Sequence, residues 1–385
     1  MGLSAEYQLL SLLVCAAPDE IVARDVSQLL AGTQINWQEF ISKAEQNGVS
    51  PWLYHNRDNG RIRFAASVLK QLRALAVRHR YASEIYTRVL IELLALFEDK
   101  GIEVILLKGA ALARTVYQEA GLRPMRDLDI LVKSSDLDMA EVVCQKLGFR
   151  ANGAARSQSK FITHHHLPTL EQNVDGLLVS LEIHQDAFAR DTFRCLNMDK
   201  LASKPQRFSI SDRQQAAMFG SIDMLDHLTQ HAFEPGSRFK LSQAIDLSQY
   251  MQHYRDSIPW PVIQGRYPQI INRLQSIHEV CPLPRIIPVS PIDYTVHASC
   301  SSGVLMPTLS DILHRGLGSG RMLCTLFRPP VWWLYGYYGR SRETPLLFLL
   351  LVVHPWRVGK WLVRRAWVKI TSGVVSSKVA YENPA

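Results

Sequence analysis

Cysteine is scarce in this 385-residue chain, with six in all, at positions 15, 144, 195, 281, 300 and 324. No two form a Cys-x-x-Cys pair and no Cys/His group has zinc-finger spacing, so a structural zinc module is excluded. Scattered single thiols suit a reducing compartment, and the expected location is the cytoplasm. Long hydrophobic runs are also missing. The run at Leu346 to Val353 holds eight apolar residues, and a bilayer span needs about 20. No basic residue precedes the apolar stretch between Met1 and Pro18, which therefore reads as a helix of the fold and not as a signal peptide. No internal repeat is present. At 47% hydrophobic and 20% charged, the composition is that of a folded chain and excludes disorder.

Acids are nearly absent from one region. Between Arg321 and Lys369 there are nine Lys/Arg and one acid, Glu343, so this window carries the whole formal net charge of +8. The rest of the chain is balanced, 34 against 34. Whatever the positive charge does belongs to the C-terminal tail.

Residues 3 to about 100 read as helices. Leu9, Leu10, Leu12, Leu13 and Val14 open the first. Trp37, Phe40, Ile41 and Ala44 recur at helical spacing, and a longer helix runs from about Phe64 to Lys100. From residue 101 the pattern changes to a small α/β unit. Ile102 to Leu107, Leu128 to Val132, Lys160 to His166 and Leu177 to His184 read as strands; Gly109 to Tyr117 and Leu137 to Leu147 read as helices. Helices return after about Asp212, and Pro282, Pro284, Pro288 and Pro291 mark a linker. The expected division is 1–100 helical, 101–210 catalytic core, 211–281 helical, 282–310 linker and 311–385 basic aromatic tail.

The chemistry lies in Leu107-Lys108-Gly109-Ala110, Arg123-Pro124-Met125-Arg126 and Asp127-Leu128-Asp129-Ile130. Strand side chains alternate, so Asp127 and Asp129 share a face. Two adjacent carboxylates repel unless a cation lies between them, and Mg²⁺ takes carboxylate together with phosphate oxygens. Two carboxylates can bridge two ions around an in-line phosphoryl displacement. Lys108-Gly109 joins a strand to a helix N-terminus, a place suited to phosphate. Gly109 admits close approach and Lys108 supplies a point charge. Arg123 and Arg126 flank the acids and either contact phosphate or balance charge. In Leu181-Glu182-Ile183-His184, Glu182 and His184 share a strand face. Glu182 completes the metal site or serves as base; His184 orders the site or touches nucleotide.

In order and type these segments resemble the nucleotidyltransferase superfamily: a strand, a turn into a helix, Asp-x-Asp, then a distant third acid. More narrowly they resemble the bacterial uncharacterised nucleotidyltransferase family. The matching motifs are Leu-Leu-Lys-Gly at 106–109, Arg-Pro-Met at 123–125, and Glu182 two residues before His184. Asp226-His227, His231 and Ala244-Ile245-Asp246-Leu247 match its later helical segment. The resemblance covers roughly residues 5 to 285. It departs from the wider superfamily at Ala110, where many members carry a phosphate-binding Ser.

The resemblance implies an α+β fold, with a small mixed sheet set between helical segments and a separate C-terminal helical and aromatic tail. It implies a metal-dependent transfer of a nucleoside monophosphate from ATP or another nucleoside triphosphate to an acceptor, with release of pyrophosphate. The acceptor is a small molecule, saccharide, peptide or RNA. The expected metal ligands are Asp127, Asp129 and Glu182, holding two Mg²⁺ ions or Mn²⁺. Lys108, Gly109, Arg123, Arg126 and His184 are the expected nucleotide contacts. Two other readings stand beside this one: a toxin-like enzyme adding nucleotides to transfer RNA, and a degenerate nucleotide-binding scaffold of a membrane-linked biosynthetic complex.

Consecutive strand residues face alternately, so His164, His165 and His166 do not converge readily on one ion and read as a strand end near the site. His227 and His231 share a helix face without the Glu of a zinc protease, and read as packing or nucleotide contacts. In the tail, Trp332, Trp333, Tyr335, Tyr337, Tyr338, Trp356, Trp361 and Trp367 interleave with Arg340, Arg342, Arg357, Lys360, Arg364 and Arg365. That pattern suits the headgroup region of an anionic leaflet. The expectation is a peripheral contact of residues 321–369 with the inner face of the cytoplasmic membrane. The alternative is a helical subdomain packed on the body.

Overall fold

The computed structural model describes residues 4–16, 19–151, 165–188, 195–233, 239–284, 329, 331–360 and 363. Residues 160–164 of the strand expected from Lys160 to His166, most of the expected linker, and His164, Trp361, Arg364, Arg365 and Trp367 lie outside the described residues.

The N-terminal third is helical. Helix α1 (Ala5–Val14) starts at Ser4, whose side chain accepts a hydrogen bond from the Tyr7 N–H. It is followed by α2 (Asp19–Gly32), α3 (Trp37–Gln46), α4 (Ser50–His55) and the 34-residue α5 (Ala66–Asp99). In its second half, α5 buries Ile85, Val89, Leu93 and Phe97, one residue per turn along a single stripe. It stops at Gly101, which takes a left-handed φ of +67° while its N–H bonds the Glu98 carbonyl.

A seven-stranded mixed sheet follows. Its strands are β1 (Ile105–Leu106), β2 (Asp127–Leu131), β3 (Arg150–Ala151), β4 (Leu170–Val174), β5 (Leu177–His184), β6 (Gln206–Ser211) and β7 (Gln214–Met218), in the spatial order β3-β4-β5-β2-β1-β7-β6. The β2–β5 and β1–β7 pairs are parallel and the others antiparallel. Helix α6 (Lys108–Thr115) separates β1 from β2, and α7 (Leu137–Lys146) follows β2.

The α+β class matches the expectation; the extent of the sheet exceeds it. Strands β3, β4, β6 and β7 were not foreseen. The β6–β7 hairpin occupies the stretch where helices were expected to resume, and helix α8 (Ser221–His231) begins only after it. The sequence of β7, QQAAM, favours helix over strand. Its strand conformation comes from pairing with β1 and β6, a tertiary override of local preference.

Helices α9 (Leu241–His253), α10 (Trp260–Arg266) and α11 (Pro268–His278) close the body. Among the described residues one hydrophobic cluster runs from Tyr7 through the sheet to Val358. Helix α12 (Val331–Tyr338) packs on α11. Its Trp332 ring lies 5.7 Å from Phe233 and 5.8 Å from Phe239. Trp332, Trp333 and Tyr335 are therefore buried in protein, the two tryptophans on the body and Tyr335 against Leu349, and for these three the expected headgroup position is replaced by packing within the protein. The last described helix, α13, starts at Leu346–Phe348 and continues through a π turn, Leu349–Val353, and helical residues 354–360. Among the described residues no helix is long and apolar enough to cross a membrane.

Candidate active site

The site grows from the end of β1. The Leu107 N–H bonds the Asp129 carbonyl at 3.0 Å, and the chain then turns at Lys108 into α6. Lys108 holds φ at +43°, the left-handed region that non-glycine residues occupy at a cost. Its Nζ lies 3.2 Å from Asp129 Oδ1. Gly109, the glycine beside it, lies against the Arg-Pro-Met loop. A Cβ built on Gly109 would stand 3.1 Å from Met125 Cγ and 3.4 Å from Arg123 Cζ. Its small size lets the Arg-Pro-Met loop close over the turn.

Strand β2 delivers the acids. In the parallel β2–β5 pair Asp127 is level with Ser180, Asp129 with Glu182, and Leu131 with His184. Alternation places Asp127, Asp129, Glu182 and His184 on one face, while Leu128, Ile130, Leu181 and Ile183 are fully buried on the other. Ligand atoms of Asp129, Glu182 and His184 all lie within 4.8 Å of one another, a group able to hold a metal ion. His184 Nε2 is 2.8 Å from Asp129 Oδ1 and 3.5 Å from Glu182 Oε2. Thr169 Oγ1 donates to Glu182 Oε1 at 3.3 Å. His184 is thus embedded among the acids, and its buried Nδ1 has no hydrogen-bond partner among the described residues.

His165 and His166 sit at the mouth of this group. His166 bridges to His184 across an antiparallel contact, and the rings of His165 and His166 lie 5.3 and 5.2 Å from the His184 ring. They lie near the acids, as expected; the strand expected to lead into them lies outside the described residues.

The electrostatics record crowded negative charge. Burial pushes the Asp127 carboxyl above its ordinary range, and repulsion from Asp129 and Glu182 adds to the shift. Burial acts in the same direction on Asp129, but Lys108 and the His184 hydrogen bond outweigh it and hold that carboxyl well below the usual range. The hydrogen bond from His184 lowers Glu182. Burial opposes charge on His184, yet its bonds to Asp129 and Glu182 raise its pKa. Lys108 and His184 thus supply the positive charge against three carboxylates. A divalent cation fits this donor set, because it would relieve the repulsion that raises Asp127.

Over residues 33–271 the chain matches the family model described as uncharacterised nucleotidyltransferase. The protein belongs to that nucleotidyltransferase family. No curated protein matches it, and no solved structure does.

Around the acids this nucleotidyltransferase builds an outer ring that the sequence reading placed only in part. Arg123 was expected to contact phosphate or to balance charge. Its Nε and Nη2 bond Asp246 at 2.8 and 2.9 Å, and Tyr117 Oη donates to the same carboxylate at 2.6 Å. This buried node joins the turn that follows α6, the Arg-Pro-Met loop and α9. The Arg126 carbonyl accepts from Tyr86 Oη at 2.9 Å, which pins the loop one residue before Asp127. On α8, His227 is 2% exposed, and its Nε2 has no partner among the described residues. Its ring lies 5.6 Å from Phe219 and 6.4 Å from His231. Burial lowers its pKa well below the ordinary value, and the positive charge of Lys108 adds to that.

Lys240, just ahead of α9, escaped the sequence reading altogether. Burial lowers its pKa, and the nearby cations Arg126, Arg123 and Lys108 push the same way. No motif signals Lys240, which reaches the site from a helix more than a hundred residues after Asp129.

Proposed function

We propose that this nucleotidyltransferase moves a nucleoside monophosphate from ATP or another nucleoside triphosphate to an acceptor hydroxyl or phosphate and releases pyrophosphate. The observation that carries the reading is the clustering of Asp129, Glu182 and His184 ligand atoms within 4.8 Å, with Asp127 alongside on the same strand face. Asp127, Asp129 and Glu182 are the proposed ligands of two Mg²⁺ ions, or Mn²⁺, and His184 joins them or orients Asp129. When bound, the cations neutralise the phosphate charge and make the acceptor oxygen a better nucleophile.

The protein's own groups do the rest. Lys108, paired here with Asp129, would be able to turn to a phosphate oxygen if a cation neutralised that carboxylate, and Arg126 and Lys240 add positive charge at the rim. The acceptor oxygen bonds to the α-phosphorus while the bridging bond to the β-phosphate breaks, and the acceptor proton passes to a site carboxylate or water. Glu182, with its pKa lowered by the His184 hydrogen bond, suits a ligand better than a base. Arg123 serves by holding the loop through Asp246. The enzyme works at the inner face of the cytoplasmic membrane, which residues 321–369 contact. Charge balance outside that window gives no support to RNA as the acceptor.

Purified protein incubated with labelled triphosphates, Mg²⁺ and cell extract should transfer label to one class of molecule and release pyrophosphate. Asp129→Asn should reduce that release by at least a hundred-fold while circular dichroism stays unchanged. Pyrophosphate release at the normal rate by the variant would refute the assignment.

A further inference from the structure

Five large apolar side chains on α13 face solvent: Leu347 at 69% exposure, Phe348 at 50%, Leu351 at 70%, Val352 at 54% and Trp356 at 65%. Single exposed apolar residues are ordinary, but a contiguous set on one helix marks a surface with a partner. The opposite side of the same helix is satisfied. Leu349, His354 and Val358 are buried there. The π turn accommodates the five-residue step from Leu349 to His354. Leu349 packs with Leu334 and Tyr335, and Tyr338 Oη lies 2.8 Å from His354 Nδ1.

The helix is thereby fixed to α12, and α12 is fixed to the body. A Cβ on Gly336 would stand 2.1 Å from Phe233 Cζ, so the two surfaces meet without a gap. Arg273 Nε donates to the Gly336 carbonyl at 3.2 Å, Asn272 Nδ2 donates to the Gly339 carbonyl at 2.8 Å, and Arg342 pairs with Glu279. The apolar stripe is therefore held outward by a rigid mount.

Charge selects the occupant. Lys360 lies 5.0 Å from the Trp356 ring, at the edge of the stripe. Nine Lys/Arg against one acid fill the surrounding window. A second copy of the chain would bring like charge against like. Residues 285–320 offer two acids, Asp293 and Asp311, and little to neutralise the window. An anionic bilayer answers both the apolar stripe and the cations.

We infer that the helix from Leu346 lies along an anionic membrane surface, with Leu347, Phe348, Leu351, Val352 and Trp356 in the acyl boundary and Lys360 among the headgroups. This deepens the membrane part of the proposed function and moves the contact from the buried aromatics of α12 to the outer face of the next helix. The helix lies on the bilayer and does not span it.

The test is flotation of the full-length protein with vesicles of phosphatidylcholine alone, or with phosphatidylglycerol added, at physiological salt. Binding should be at least ten-fold tighter to the anionic vesicles. The double variant Leu351→Glu, Val352→Glu should lose that binding, as should Trp356→Ser, a milder change at an exposed position that guards against misfolding. Both should keep the circular dichroism and soluble pyrophosphate release of the parent. Absence of parent binding to anionic vesicles would overturn the inference, as would variants that bind as the parent does. A lipid-free dimer that the substitutions dissociate would assign the stripe to a second copy and overturn it too. Asp129→Asn should float like the parent, so failure of catalysis and failure of membrane binding are read separately.

Discussion

Lys108 shows how the residue pattern becomes a site. Its left-handed φ aims a cation at Asp129 from the first position of α6, and the neighbouring glycine supplies space for the loop that leads into β2. With Lys108 and His184 both committed to Asp129, the uncompensated charge falls on Asp127. A carboxyl with a raised pKa is protonated over a wider range of pH, and a protonated carboxyl is a poor ligand. Mn²⁺ affinity, measured by electron paramagnetic resonance, should therefore fall as pH drops, at a pH above that at which an ordinary aspartate protonates. Asp127→Asn should bind more weakly at neutral pH and should flatten that dependence. An unchanged profile in the variant would remove Asp127 from the ligand set. Alternation on short strands made Asp127, Asp129, Glu182 and His184 legible as a group, because that pattern is local. The pairing of Arg123 with Asp246 was not legible, since it joins residues 123 positions apart.

Elements were legible in proportion to their amphipathic pattern. Helix α5 and strand β5 stand close to where the sequence put them, because each carries a repeated apolar period. Strand β6, QRFSIS, and β4, LEQNV, are short and partly exposed, and β7 has no strand signature at all. Their conformation is decided by neighbours in the sheet. The same holds for α12, whose apolar and aromatic residues suit protein and lipid surroundings equally until its mount on α8 and α11 is seen. Gly336 is the contact on which that mount turns. Gly336→Ala should force the Phe233 ring or α12 itself to move, since overpacking of this kind costs about 1–3 kcal/mol. Limited proteolysis should then cut between the body and residue 345 faster than in the parent, while pyrophosphate release changes less. Equal cleavage rates would mean that the Phe233 ring alone absorbs the extra methyl group.

At the scale of the whole molecule, one hydrophobic cluster runs through the N-terminal helices, the sheet and helices α8 to α11. The ties between the ends of the chain are specific. Asn47 caps α9, its carbonyl bonding the Ser242 N–H and its side chain the Leu241 N–H, each at 3.2 Å. The Ala16 N–H bonds the Pro282 carbonyl at 2.9 Å. Asp246 on α9 holds the loop that precedes the catalytic strand. With those ties in place, the sheet cannot lose its flanking helices without exposing apolar surface and leaving Asp246 and Arg123 unpaired. Calorimetry should therefore show the body unfolding in one transition. A cation bound at the three acids stabilises the folded state by mass action, and because the site lies within the shared core, Mn²⁺ should raise the temperature of that whole transition. Asp129→Asn should abolish the rise. Two resolved transitions, of which Mn²⁺ shifts only one, would show that the helices and the sheet unfold independently and that the ties from Asn47 and Asp246 do not couple them.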